Sequence, residues 1–178
     1  MHGTIFAPAG PEPHVMKPYF LLVLPLLAAF GAKAQLDTNS VKPYIRSCAD
    51  SVNAAFKTRD WHKLARFTNP NLMEMMGGEK NFVETVQKQM DLVGADAIHD
   101  SQTGRVLQVI KTSQGWQCVT EQVLDMKMLN KPLHQSAYLI GVSKDGQHWY
   151  FLDASATSGL SPVFIPDLDQ RLVIPGKR

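Results

Sequence analysis

Four side chains in this sequence have the types and spacing to move protons: Glu121, His134, Tyr138 and Asp153. His134 and Tyr138 fall four residues apart, so an extended strand would carry them on one face. Glu121, from a neighbouring strand, would complete a carboxylate–imidazole–phenol set able to transfer protons. Asp153 follows Trp149-Tyr150-Phe151-Leu152. An aspartate in such apolar company has a raised pKa and can act as a base. Each assignment has a plainer competitor. Glu121 and His134 serve equally well as cross-strand polar residues on a solvent face, and the sequence offers them no third, orienting group. An aspartate at a strand end more often caps the following turn, here Ala154-Ser155, through backbone amides. The plainer readings carry the greater weight.

Other chemistries are less well supported. Ser155, Ser158 and Ser161 lack the Gly-x-Ser-x-Gly context of a hydrolase nucleophile. Gly77-Gly78 lacks the Lys-Ser/Thr ending of a phosphate loop and reads as a turn into a helix. His62, His99, His134 and His148 show no metal-ligand spacing, and two cysteines cannot supply a four-ligand zinc site. No cofactor and no metal are expected. The formal net charge of +2, without basic runs, gives no electrostatic case for nucleic acid. His62 reads as exposed, His148, after the Asp145-Gly146 turn, as an edge residue, and His99 as a loop residue.

These side chains must be positioned by a sheet. Arg105–Lys111, Trp116–Leu129, Leu133–Ser143 and His148–Ala154 are rich in β-branched and aromatic residues. Ser113-Gln114-Gly115, Asn130-Lys131-Pro132 and Lys144-Asp145-Gly146 separate them, and connections this short join antiparallel neighbours. In Leu133–Ser143, one face carries Leu133, Gln135, Ala137, Leu139 and Gly141, the other His134, Ser136, Tyr138, Ile140 and Val142. The last strand is apolar on both sides, which calls for helices over one face and the tail or a partner over the other. In Trp116–Leu129 the apolar set changes phase from Val119 and Val123 to Leu124, Met126 and Met128, predicting a bulge or bend.

N-terminal to the sheet, Val41, Tyr44, Ile45, Cys48, Val52, Ala55 and Phe56 recur at helical spacing, predicting a helix from about residue 40 to 57. Asp60 caps a second, short helix that ends before Asn69-Pro70. Leu72–Met76 reads as a short strand or one more helical turn, broken by Gly77-Gly78. A third helix starts at Glu79 and stops at Gly94. The tail from Gly159 carries Pro162, Pro166 and Pro175 among apolar residues, so it reads as an ordered wrap across the body, with a lid over a pocket as the sharper alternative.

The first 34 residues read as an extension and a leader. Translation starting at Met16 gives Met16-Lys17-Pro18, an apolar run from Tyr19 to Phe30, and a small-x-small box at Ala32-Lys33-Ala34. Cleavage after Ala34 would release residues 35–178 as a single exported domain, periplasmic or secreted, that meets the membrane only during export. An uncleaved anchor in the inner membrane is the competing reading. In an exported chain Cys48 and Cys118 could form a disulfide. Two separate buried thiols are the other option, and sequence does not fix the geometry.

The order of elements resembles the nuclear transport factor 2-like superfamily. The likeness rests on Asn53-Ala54-Ala55-Phe56-Lys57-Thr58-Arg59-Asp60-Trp61, on Met75-Met76-Gly77-Gly78-Glu79-Lys80-Asn81-Phe82, and on the ending Phe164-Ile165-Pro166-Asp167-Leu168. It spans most of residues 40–175. The resemblance implies an α+β cone or roll, with three N-terminal helices packed on a strongly curved antiparallel sheet, and it makes Leu72–Met76 a short first strand. That superfamily includes ketosteroid isomerase, scytalone dehydratase and polyketide cyclases, as well as ligand binders and dimeric adaptors. Their catalytic set cannot be placed here residue by residue. The resulting expectation is a non-catalytic module binding a small apolar ligand or a protein partner. A cofactor-free isomerase or dehydratase using carboxylate, His and Tyr is the alternative, and a homodimer pairing through the outer sheet face is a third option.

Overall fold

The computed structural model describes residues 37–94, 98–128, 131–155 and 161–176. The leader, its cleavage box and the upstream extension lie outside the described residues. The described residues belong to one compact unit, Leu36–Arg178. Among them no helix is long and apolar enough to cross a membrane.

Among the described residues, five helices and four strands run in the order α1 (Lys42–Thr58), α2 (Trp61–Ala65), α3 (Pro70–Met75), α4 (Glu79–Val93), β1 (Ile98–Thr112), β2 (Gly115–Met128), β3 (Lys131–Ser143), β4 (Tyr150–Asp153) and α5 (Ser161–Phe164). The sheet is open, antiparallel throughout and ordered β1-β2-β3-β4. The protein is therefore α+β, with four of the five helices among the described residues lying N-terminal to the sheet.

The local signals act as elementary chemistry dictates. Pro43 sits in the first turn of α1, where its missing N–H leaves no bond unmade. Arg59 ends that helix in the left-handed region. The Asp60 carboxylate accepts from the Lys63 amide at 2.9 Å and starts α2. Leu72–Met76 is not a strand. Pro70 occupies the first turn of α3, and the Asn69 side chain accepts from the Asn71 and Leu72 amides, so a complete N-cap converts the segment to helix. Gly78, at φ 96°, then turns the chain into α4.

Two apolar layers sandwich the sheet. Over one face lie Val41, Ile45, Ala49 and Val52 of α1 with Trp61, Leu64 and Phe82, packed on Trp116, Cys118, Leu139 and Phe151. Over the other lie tail residues Phe164, Ile165 and Leu172, packed on Ile110, Val119, Ile140 and Leu152. The wrap expected of the Pro-bearing tail is thus present, and it explains why β4 is apolar on both sides. Burying those three tail side chains contributes on the order of 5 kcal/mol, so the tail is part of the fold.

The phase change in β2 has another cause than a bulge in that strand. The β2–β3 register runs unbroken from Trp116↔Ser143 to Met128↔Lys131. Both faces of β2 carry apolar residues because both are covered. The irregularities fall in β1, between Ile98 and Asp100, Thr103 and Val106, and Val106 and Gln108. Gly104 lies within that stretch, where an added Cβ would come 2.8 Å from the Glu121 side chain.

Candidate functional site

The four residues singled out above do not converge. Glu121 and Tyr138 are directly opposed on β2 and β3, on the face away from the helices. Glu121 accepts from Ser136 Oγ at 3.1 Å and sits beside Arg105, whose backbone amide leads the contacts that lower the carboxyl pKa. His134 lies farther along the same face and pairs across the strands with Asp125, Nδ1 to Oδ1 at 2.5 Å. Its ring is 78% exposed. Asp153 opposes Leu139, a helix-side residue, and so belongs to the other face. Its carboxylate accepts from the Ser155 amide at 2.7 Å and from Ser155 Oγ at 2.6 Å, which is the turn cap.

Cys48 and Cys118 are both free thiols. Cys118 is fully buried, and burial pushes its pKa up. Cys48 is half-buried, shifted upward by the same cause, with its Sγ 3.8 Å from the Gln147 carbonyl. Among the described residues no three His, Cys, Asp or Glu side chains are grouped to hold a metal.

The side chains gather instead at the opposite end of the sheet. A cleft of about 810 Å³ opens there between the start of α3, the β1–β2 turn, the β3–β4 loop and the tail. Val142 and Tyr150, paired across β3 and β4, lie on the tail side of the sheet within it. Phe164, Ile165 and Pro166 line it from the tail, Pro70 and Asn71 from α3, and Thr112 and Gln114 from the turn. Lys144, Asp145 and His148 bring charge and hydrogen-bonding capacity.

The β3–β4 loop is built around Asp145. Its carboxylate accepts from the Gln147 and His148 amides at 2.8 Å each, from Ser143 Oγ at 3.1 Å, and from His148 Nδ1 at 2.6 Å. Burial works against the charge, but the bonds from His148, Gln147 and Ser143 outweigh it and hold the pKa well below the usual carboxylate range. The Trp149 indole, 1% exposed, donates to the Gly146 carbonyl at 3.0 Å and anchors the loop from beneath. Ser143 Oγ is engaged with Asp145 and with the Gly146 amide, so it serves the loop rather than His148. The result is a fixed Asp–His dyad beside an apolar surface, without an aligned hydroxyl nucleophile among the described residues.

Asp145 and His148 were visible in the sequence as a turn and an edge histidine. Their separation by three residues was the only signal that they pair. The tail's proline and apolar content signalled a wrap or a lid over a pocket, but not which end of the sheet it would border.

No protein-family model matches this chain. No curated protein matches it either. The arrangement of residues therefore carries the functional argument alone.

Proposed function

We propose that the protein is an exported, non-catalytic binding module of the nuclear transport factor 2-like kind, taking a small, largely apolar ligand in the cleft beside the tail. The observation that carries this reading is the cleft itself. Its volume falls within the range typical of small-molecule sites, about 300–1,000 Å³. Its lining joins an apolar surface from Val142, Tyr150, Phe164 and Ile165 to a polar rim from Lys144 and His148. A ligand with an apolar body and one hydrogen-bonding or anionic end matches that division. Helices preceding an antiparallel sheet are consistent with the superfamily, and the strongly curved cone is proposed on that likeness. Export rests on the leader-like sequence before Gln35.

Native mass spectrometry of the protein purified from its own host tests the reading. A retained small molecule, lost in a Val142→Trp variant that fills the cleft, is the expected result. A bare chain that also fails to bind amphiphilic anilinonaphthalene sulfonate saturably contradicts it.

One observation favours an enzyme as the second reading. Asp145, His148 and Tyr150 bring a carboxylate, an imidazole and a phenol to one cleft. With Nδ1 held by Asp145, Nε2 is the ring nitrogen left to meet a substrate. That reading predicts deuterium exchange into enolisable ketones that disappears in His148→Gln.

A further inference from the structure

The tail wall of the cleft is held in place by side-chain amides. Gln117 donates to the Asp167 carbonyl at 2.8 Å and accepts from the Asp169 amide at 2.9 Å. Gln108 grips the next step, donating to the Arg171 carbonyl at 2.9 Å and accepting from the Val173 amide at 2.8 Å. Between them the Arg171 guanidinium forks onto both oxygens of Asp169 at 2.9 and 2.7 Å. Asn71 donates to the Phe164 carbonyl at 2.7 Å and ties the tail to α3. The walls are therefore set before a ligand arrives.

Three polar side chains lining the cleft are almost wholly enclosed: Asn69, Gln117 and Ser143. Both ends of the Gln117 amide are engaged with the tail, and Ser143 Oγ with the β3–β4 loop. Asn69 differs. It is 3% exposed, and its Oδ1 accepts from the Asn71 and Leu72 amides at 3.0 and 3.2 Å. Backbone amides only donate, so the atom facing them is the side-chain oxygen and the other is the nitrogen. That Nδ2, with two protons to give, has no partner among the described residues. Among these residues Thr120 Oγ1 is the fully enclosed side-chain polar atom left unpaired, so Asn69 Nδ2 is within reach of solvent. The surface to which Asn69 contributes is the cleft wall. The residue cannot swing away, because its own amide donates to the Phe151 carbonyl at 3.0 Å.

Resting on the reading of the cleft as a small-molecule site, we propose that Asn69 selects the ligand. Its Nδ2 donates to a carbonyl-type oxygen, of a ketone, ester or carboxylate, on an otherwise apolar molecule. The α3 amides are already closed by Oδ1, so the side chain and not the helix end makes the offer. A ligand without such an oxygen strips this donor of water and returns no bond, and a site built around an enclosed donor rejects it. Lys144 and His148 stand exposed at the rim, where water meets them with or without a ligand, so they discriminate less.

Three probes with one naphthalene body test this by equilibrium dialysis: 2-acetylnaphthalene with a neutral acceptor, 2-naphthoate with an anionic one, and 2-ethylnaphthalene with none. On the unmodified protein, which needs no variant to fold, the ketone and the carboxylate should each bind about fivefold or more tighter than the hydrocarbon. Asn69→Asp keeps an oxygen to cap α3, and so keeps the fold, but has no proton to give. In that variant, with native circular dichroism, the ketone should lose its advantage. The naphthoate, now facing a carboxylate, should bind more weakly than the hydrocarbon. A hydrocarbon that binds the unmodified protein as tightly as the ketone leaves the cleft a binding site and overturns the role of Asn69. A ketone preference that survives Asn69→Asp overturns it too. If none of the three binds, the cleft as a small-molecule site falls together with the role of Asn69.

Discussion

Replacing Asn53 with alanine should destabilise this domain more than any other single polar truncation on α1. Asn53 is 4% exposed, on the face of α1 that meets the sheet. Its Oδ1 accepts from Ser101 Oγ at 2.5 Å and from Gln122 Nε2 at 2.6 Å, and its Nδ2 donates to Thr103 Oγ1 at 2.8 Å. One residue thus ties α1 to both β1 and β2. Three net hydrogen bonds at about 1 kcal/mol each give a loss of roughly 3 kcal/mol. Ser101 and Gln122, themselves 1% and 5% exposed, keep their mutual bond at 2.9 Å but lose their shared acceptor, which adds about 1 kcal/mol or more for stranded donors. Alanine's better helix propensity returns about 0.7 kcal/mol. The expected net loss is about 3 kcal/mol, which lowers the urea midpoint by roughly 1.5 M for a denaturant slope of about 2 kcal/mol/M. Equilibrium urea unfolding followed by circular dichroism reads it directly. Thr58→Ala, which removes one exposed hydroxyl bonded to the Ala54 carbonyl, is the control and should change stability by under about 0.5 kcal/mol. If the two variants unfold at the same midpoint, the network does not pin the helix to the sheet and the reasoning fails.

Three further outcomes follow from packing and charge. Gly141→Ala places a methyl group 2.6 Å from Cys118 Sγ and 3.0 Å from the Phe151 ring, so overpacking should cost about 1–3 kcal/mol; Cys118→Ala in the same chain should restore most of it, and additive losses in the double variant would refute the clash. The Arg171 fork leads the contacts that lower the Asp169 pKa from 3.8 to about 2, so the folded state favours the ionised carboxylate. The stability linked to that group is present above about pH 4 and lost as pH falls towards 2; the tail signals in NMR spectra should shift across that window, and signals constant to pH 2 would speak against the fork. Burial raises the pKa of both thiols, but only Cys48 is partly accessible. One equivalent of a maleimide should therefore react in the native protein and two after unfolding, and modification of Cys118 under native conditions would contradict the packing.

Much of the fold was legible because local chemistry and tertiary need agree. The helical spacing of Ile45, Val52 and Ala55 in α1, the Asp60 cap and the glycines between β1 and β2 and after Asp145 each act over a few residues. The tail's wrap could be foreseen because its proline and apolar content excludes both a central strand and a disordered end. Leu72–Met76 was ambiguous because five residues cannot show a period, and the Asn69-Pro70 cap decided for helix. The candidate site was far less legible. Glu121, His134 and Tyr138 share a face, as strand alternation requires, but nothing local says whether that face meets helices or tail. Asn53, and Gln108 and Gln117 that hold the tail backbone, were missed because a side-chain amide carries no signature in sequence. Its partners lie 48 or more residues away, and only the folded register brings them together.

The proposed function requires that the space between the tail and the end of the sheet be a binding site. The direct measurement is a fluorescence titration of the purified protein with anilinonaphthalene sulfonate, in the native chain and in Val142→Trp of confirmed native circular dichroism. The account predicts saturation at one probe per chain, with affinity reduced at least tenfold by the tryptophan. Equal binding in the two proteins, or none in either, would contradict it.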